Sequence, residues 1–581
     1  MPYRNLTVEQ MDAVTCDDNL LLSACPGSGK TKTLVSKIFH IIDNKEKYNV
    51  GKRRVAAITY TNIAADTIKE RLLSYGQDSK SLWVGTIHSF CLHWIIKPNV
   101  NLIPRLCKGY LIIDEHEKQA KIDELKDKYN IKKFKRVETK LCLDYKPVYK
   151  NGDILSDLVK EYHLYLADNK LIDFDLIINL SYRVLKTNDF IGRRLSKLFS
   201  HLLIDEYQDT SDIQYEILSS IFSNQETIVT FVGDKDQSIY TGLGAVVKDK
   251  GELKEAFKLR SIVEKSLTGC FRSSQKIVDY YTNYQDGAID IVSLGKLKDF
   301  ASVVHIDDSI HKNDLANYVA SVVRTHINQG IEQREIAILC PSWFAVMALS
   351  KGLEDYAEEF SIDGFLISPI PKNQDNVWLH LVRLALLPPR VENYIKRQRI
   401  AKTLSEILYD IRETDTPIHP KKILKVVNSF STETVGCIED WIGKIVKEFY
   451  SKLSLQYNNN SHGAKSMKSL CDSTSQRMKS YNMSYEASDL HRFFCEPTGV
   501  KITSCHSTKG DEYDVVICTG LLKGKVPHWE DIIDRSRVHQ NYVARRLLYV
   551  IASRAKKHLY MISESGHVTE SGNAYIRTEQ L

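Results

Sequence analysis

The eight residues Ala24 to Thr31, ACPGSGKT, restrict what this chain can fold into more than any other stretch. An apolar run, Leu20-Leu21-Leu22, enters a glycine-rich turn and leaves it through Lys-Thr, the pattern of a strand, a phosphate-binding loop and the first turn of a helix. Gly27 and Gly29, flanking Ser28, let the backbone bend so that several N–H groups converge on one phosphate, and the following helix adds its positive end. Lys30 is placed to reach the β- and γ-phosphates, and Thr31 to hold Mg²⁺ through its hydroxyl.

The flanking pattern predicts an α/β fold. After a helix over Thr31–Ile42 come an apolar strand at Val55–Thr59, a helix through Arg71, and a strand near Leu82–Gly85 that ends in Thr-Ile-His-Ser-Phe. Apolar strands alternating with helices of this length indicate parallel sheets covered on both faces, with ligands at the carboxyl ends of the strands. At 581 residues the chain is long enough for roughly four domains. Its net charge of +6 permits nucleic-acid binding without requiring it, so any such contact must come from local patches. The cysteines form no CxxC pair, which argues against zinc and iron–sulfur sites and for reduced thiols. The amino terminus lacks a signal-peptide core and no uncharged apolar run reaches membrane-spanning length, so a cytoplasmic location without membrane contact is expected.

Three further stretches carry chemistry. Leu6–Val14 reads as a short helix with Thr7 as N-cap, and Gln10 stands where a capping box needs a glutamine. His201–Thr210, HLLIDEYQDT, brings an apolar strand to an acidic pair: Asp205 suits a Mg²⁺ water shell, and Glu206 suits abstraction of a proton from an attacking water. Ile228–Gly233 is another buried strand and delivers Gln237, whose amide can bond a γ-phosphate oxygen and a water together. Between these motifs, Cys91 to about Lys170 changes to charged helices, including KDKYNIKKFKRVETK at Lys126–Lys140. Its basic residues interleaved with Tyr129 and Phe134 suit either a nucleic-acid groove or solvated helix faces.

The order of these elements resembles the UvrD/Rep/PcrA group of superfamily 1 DNA helicases over nearly the whole chain. ACPGSGKT, ITYTNIAADTIKERL, TIHSF, DFDL (Asp173–Leu176), LLIDEYQDT and VGDKDQSIY follow in the family's order, as do LTGCFRSSQKI, ITSCHSTKGDEYDVVI and RRLLYVIASRAKKHLYM. The resemblance implies two RecA-like motor domains, each carrying a mostly helical insertion. The first motor domain comprises residues 1–91 and 171–266, with its insertion at 92–170; the second comprises 267–371 and 498–581, with its insertion at 372–497. The polar stretch Gln456–Ser484 within the second insertion reads as a mobile loop or linker. The resemblance also implies that Gln10 reads adenine, Phe271 stacks on it, Glu512 contacts the ribose, and Arg272 and Arg554 are arginine fingers. Fingers in the second motor domain facing a P-loop in the first make hydrolysis depend on cleft closure.

Three DNA-facing positions depart from the family. Thr241-Gly242-Leu243-Gly244 stands in place of Gly-Trp-Arg-Gly, Cys340-Pro341-Ser342 lacks the arginine common before the serine, and Ile63 replaces a lysine. Only about twenty residues follow Met561, so no fused nuclease is expected. The compact layout is similar to the helicase subunit of the Gabija phage-defence system, which works beside a Toprim (OLD-family) nuclease. The expectation is an ATP- and Mg²⁺-dependent translocase moving 3′ to 5′ on single-stranded or tailed duplex DNA. The alternatives are a nucleotide-gated sensor that licenses a partner nuclease and a DNA-repair helicase; a small-molecule kinase does not account for the paired arginine motifs.

Overall fold

The computed structural model describes residues 1–581 except 1–2, 4, 76–80, 133–134, 223–225, 241–243, 288, 360–361, 363–364, 368–375, 412, 431–436, 459–460, 481–493, 495–498, 534–535 and 570. The chain divides into two units: residues 1–95, 181–368 and 497–581 form one, and residues 96–180 and 369–496 the other.

The first unit contains two six-stranded parallel sheets. One is made of β1 (Leu20–Ala24), β2 (Arg54–Thr59), β3 (Leu82–Thr86), β4 (Phe199–Asp205), β5 (Ile228–Gly233) and β6 (Val263–Leu267), in the order β3-β2-β4-β5-β1-β6. The expected strands fall within a residue or two of these limits. The leucines of β1 are fully buried because the strand lies between two neighbours, with Leu21 opposite Phe231 on one side and Glu264 on the other. This order has a functional consequence. Strands β4, β5 and β1 are consecutive, so the segments leaving their carboxyl ends, at Glu206, Asp234 and the P-loop, emerge side by side although the sequence separates them widely.

Helix α1 (Val8–Thr15) opens with a complete capping box, and α2 (Lys30–Asp43) follows the P-loop. Helix α2 buries Leu34, Val35, Ile38, Ile41 and Ile42 at helical spacing against the same core as Leu20 and Leu22. The second sheet is formed by β7 (Val304–Asp307), β8 (Ile336–Cys340), β9 (Phe365–Ile367), β10 (Val500–Ser504), β11 (Tyr513–Cys518) and β12 (Ala555–Ile562), in the order β7-β12-β11-β8-β10-β9. Mixed α/β architecture with parallel sheets flanked by helices is the expected fold class, consistent with two RecA-like motor domains.

The second unit is mainly helical. Its core gathers Trp378, Trp441, Ile442, Phe449 and Tyr450, and the Trp378 indole donates to the Gly463 carbonyl at 2.6 Å. Two expectations are corrected here. The polar stretch expected to be a mobile loop contains a helix at His462–Ser480. Sparse as its apolar residues are, Leu470 and Thr474 recur one turn apart and are buried, which is enough to dock a polar helix. Conversely, Lys126–Lys140 is not helical throughout: the helix Glu115–Lys128 stops there, and Asn130 takes a left-handed φ of 53°. The DFDL motif begins with an N-cap, where Asp173 accepts from Leu176 N at 2.8 Å and from Tyr162 OH at 2.9 Å.

Candidate nucleotide site

The P-loop turns through left-handed glycines, Gly27 at φ 72° and Gly29 at φ 78°, a region costly for residues with a Cβ. Space is equally restrictive. A Cβ on Gly27 would lie 2.6 Å from Arg272 Cβ, and one on Gly29 would lie 2.8 Å from Gln10 Nε2. Ser28 points inward, its hydroxyl donating to the Cys25 carbonyl at 2.7 Å. Gln10 serves both of its readings: Oε1 accepts from Thr7 N at 3.1 Å in the capping box, while Nε2 donates to Ser28 O at 2.8 Å. Its position on the P-loop is therefore fixed by the cap of α1.

Lys30 is the first residue of α2 and Thr31 the second. Lys30 Nζ lies 3.4 Å from Glu206 Oε1. Burial works against the ammonium charge, but Glu206, Asp234 and Asp205 outweigh it and hold the lysine above its ordinary pKa. Asp205 ends β4, and Glu206 follows at φ 52°, a left-handed kink, with its N–H donating to Asp205 Oδ1 at 3.1 Å. Burial, with the Glu206 charge second, pushes Asp205 up to about 7. Glu206 resists the same burial because Lys30 and Lys509 hold it down, at about 2. The pair is thus split into a carboxyl that awaits a cation and a carboxylate that already has one.

Gln237 follows β5 and donates through Nε2 to Asp234 Oδ2 at 2.7 Å, while its Oε1 accepts from Arg554 Nη2 at 2.8 Å. Arg554 is buried and also bonds the Val550 and Asp511 carbonyls. Burial first, then the nearby Arg272 charge, lowers it to about 10, so it remains a cation. Arg272 donates through Nε to Glu512 at 2.7 Å and through Nη1 to Ser553 O at 2.9 Å. Beside it, Phe271 keeps 41% of its surface exposed while its N–H bonds Gly27 O at 2.9 Å, so the ring stands open next to the P-loop.

The residues named from the sequence therefore gather at one site: Gln10 and Arg272 against the P-loop, Glu206 against Lys30, Gln237 against Arg554, and Glu512 against Arg272. Sequence reasoning missed Asp234, which orients Gln237, and Lys509, which bridges Asp209 Oδ2 at 2.5 Å and Gln237 O at 2.8 Å. Lys509 lies inside the STKGDEYD stretch and Asp234 inside VGDKDQSIY, three residues before Gln237, so both motifs offered a usable signal. For Mg²⁺, the donors on offer are the buried Asp205 carboxylate and the Thr31 hydroxyl, both hard oxygens. No group of three His, Cys, Asp or Glu able to hold a metal occurs among the described residues. That combination fits an ion held chiefly by phosphates and water and unsuited to an all-protein cage.

Beyond the carboxyl ends of the sheet, Tyr60, which follows β2, and Tyr240, seven residues past β5, stack with ring centroids 5.3 Å apart and planes at 19°. Lys509 Nζ lies 5.1 Å from the centre of the Tyr240 ring, and Tyr240 OH donates to His506 O at 3.2 Å. Ile63 is 68% exposed. Thr241, Gly242 and Leu243 lie outside the described residues, as does Phe134. Cys340 is buried, and Ser342 Oγ accepts from Ala345 N at 3.3 Å. In the basic stretch, Lys128 and Tyr129 both bond Glu161, so part of its charge is already paired. No helix among the described residues is long and apolar enough to cross a membrane.

Comparison with known proteins agrees with this geometry. Residues 6–258 match the UvrD/REP helicase N-terminal domain and residues 444–566 the UvrD-like helicase C-terminal domain. The ATP-dependent DNA helicase PcrA of Staphylococcus epidermidis is 25% identical, over 96% of this chain and 83% of its own length. A probable DNA helicase II homolog of Mycoplasma capricolum is 25% identical, over 97% and 86%. The ATP-dependent DNA helicase Rep of Buchnera aphidicola is 24% identical, over 96% and 94%. With both helicase domains matched in order and a parallel sheet behind each motor motif, the chain belongs to the UvrD/Rep/PcrA-type DNA helicases.

Proposed function

We propose that this chain is an ATP-driven translocase on single-stranded DNA, moving 3′ to 5′ and able to separate a tailed duplex. The observation that carries the reading is the junction of Gln237 with Arg554, which joins the acidic edge of the first motor sheet to the last arginine motif of the second. Lys30 and the P-loop amides hold the β- and γ-phosphates, and Gln10 and Phe271 hold the base. Glu206, kept ionised by Lys30, takes the proton of the attacking water, and Arg272 and Arg554 offset charge that develops on the leaving phosphoryl group. Asp205 and Thr31 would hold Mg²⁺, which when bound neutralises phosphate charge. Each turnover requires the two motor sheets to close around the site, and opening and closing supplies the step along DNA.

Support for a single-stranded track comes from the stack of Tyr60, just past β2, on Tyr240, in the segment that follows β5. These rings are suited to stack on bases where relatives use the tryptophan that this chain lacks. Glu206→Gln tests the reading: ATP binding is retained while DNA-stimulated phosphate release falls by about 10²-fold or more. Wild-type turnover in that variant removes the assignment. Comparing 3′-tailed with 5′-tailed duplexes tests the direction.

The departures at Ile63, Thr241–Gly244 and Cys340–Ser342 favour a second reading, a nucleotide-gated subunit that licenses a Toprim nuclease as in Gabija-type defence and unwinds little by itself. Strong unwinding by the isolated chain counts against it, and a co-purifying nuclease counts for it. A repair helicase is the outcome if the chain unwinds alone and has no such partner.

A further inference from the structure

Helix α1 carries more than Gln10. One residue earlier, the Glu9 carboxylate reaches Thr268: Oε2 accepts the backbone N–H at 2.9 Å, and Oε1 accepts from the hydroxyl at 2.7 Å. Thr268 is the single residue between β6 and the short strand Gly269–Cys270, where the chain leaves the first sheet on its way to Phe271 and Arg272. This crossing is tied to the P-loop on both sides. Cys25 N donates to Leu267 O at 3.2 Å, and Phe271 N donates to Gly27 O at 2.9 Å.

The other end of α1 is also anchored. Lys37, buried on α2, donates to Ala13 O at 3.0 Å and to Cys16 O at 2.7 Å, closing the carboxyl end of α1 with a cation. A two-turn helix gripped at its last turn by a buried ammonium and at its first by a carboxylate bonding two donors moves as one body. Gln10, on the first turn beside Glu9, is the side chain of that body that touches the P-loop.

We infer that Glu9 is a positioning residue which carries the state of the base site at Gln10 through Thr268 to Arg272. The inference rests on the reading of Gln10, Phe271 and Arg272 as an ATP site. A base seated against Gln10 sets α1, α1 sets Thr268 through Glu9, and Thr268 sets the start of the segment that holds Arg272. Base identity then enters the rate of hydrolysis as well as affinity. A plain structural tie would hold α1 in place without linking the two.

The test compares ATP with ITP, whose base replaces the 6-amino group with a carbonyl, in steady-state hydrolysis on single-stranded DNA. The wild type is expected to favour ATP in both KM and kcat. Glu9→Ala is expected to lower kcat for ATP roughly tenfold, within the roughly 10²-fold that a misplacement remote from the chemistry can cost. The kcat ratio of ATP to ITP then collapses toward one, while the KM ratio, still read by Gln10, is kept. Thr268→Val is expected to act in the same direction, and the double variant to lose no more than Glu9→Ala. Glu9→Gln, which can still accept from the Thr268 N–H, is expected to restore most of the ratio. Equal loss with both nucleotides, or an unchanged kcat ratio in Glu9→Ala and Thr268→Val, overturns the inference. A wild type that hydrolyses ATP without base preference in kcat overturns it too while sparing the proposed function; a wild type without any hydrolysis overturns that function instead.

Discussion

Arg554 donates a guanidinium N–H to the amide oxygen of Gln237 at 2.8 Å, and Gln237 passes a hydrogen bond on to Asp234 at 2.7 Å. Arg554 immediately precedes β12 and Gln237 lies in the turn after β5, so a side chain beside the second sheet is in direct contact with the acidic edge of the first. This contact makes Arg554 more than a surface cation: it is buried, still charged and held against Gln237, and in the proposed mechanism it offsets the developing phosphoryl charge.

Replacing Arg554 with alanine is therefore expected to lower DNA-stimulated kcat by about 10³-fold with little change in nucleotide affinity. Arg554→Lys is expected to recover little, because Nε, Nη1 and Nη2 each bond a different partner, Val550 O, Asp511 O and Gln237, and the point-like ammonium lacks the spread of that planar fork. Phosphate release at saturating ATP, beside equilibrium nucleotide binding, checks both. A variant that loses affinity and keeps kcat contradicts the assignment.

Gly27→Ala combines two penalties, a left-handed φ of 72° and a Cβ placed 2.6 Å from Arg272 Cβ. The strain alone costs on the order of 1–2 kcal/mol, and relief of the collision pushes the Arg272 segment away from the P-loop. Nucleotide affinity is expected to fall at least tenfold. Calorimetric titration with a non-hydrolysable analogue measures it, and near-normal affinity would show that the P-loop and Arg272 need not approach.

The acidic pair predicts a pH dependence. Burial and the Glu206 charge raise Asp205 from 3.8 to about 7. A raised carboxyl adds stability that is complete below its ordinary value and is lost as pH rises through about 7. Mg²⁺ needs the ionised form, so the gain in ATP affinity on adding Mg²⁺ is expected to grow between about pH 6 and pH 8. Asp205→Asn should flatten that profile. Titration of fluorescent nucleotide with and without Mg²⁺ gives the answer, and a wild-type profile already flat rules out control by Asp205.

Tyr60 and Tyr240 offer a test of the DNA track. Alanine at either position removes a ring worth about 1–3 kcal/mol per stacked base. The DNA concentration for half-maximal ATPase stimulation should rise accordingly, with ATP KM little changed. Replacements that leave DNA dependence intact would place the track elsewhere.

Local patterns carried much of this protein. A glycine-rich turn between an apolar run and Lys-Thr has few ways to fold, so the P-loop, its strand and its helix were legible from Leu20–Ile42 alone, as were Val55–Thr59 and Ile228–Gly233, where burial on both faces demands continuous apolar residues. Composition misled at His462–Ser480, because a helix docked by a few buried positions resembles a polar linker until its partner core around Trp378 is present. It misled again past Lys128, where the charge pattern continues but Asn130 turns the backbone out of the helix.

The sequence alone determined which residue types are available for phosphate, proton and cation chemistry, since those depend on side-chain identity at short spacing. Only the tertiary structure decided which of them meet. The order β4-β5-β1 sets Glu206 beside Lys30, the pairing of β6 with β1 brings the segment leaving β6, with Arg272, to Gly27, and the packing of the second sheet brings Arg554 to Gln237. These pairings join residues far apart in the chain, and no local pattern specifies them, because they follow from strand order and from burial that forces each charge to find a partner.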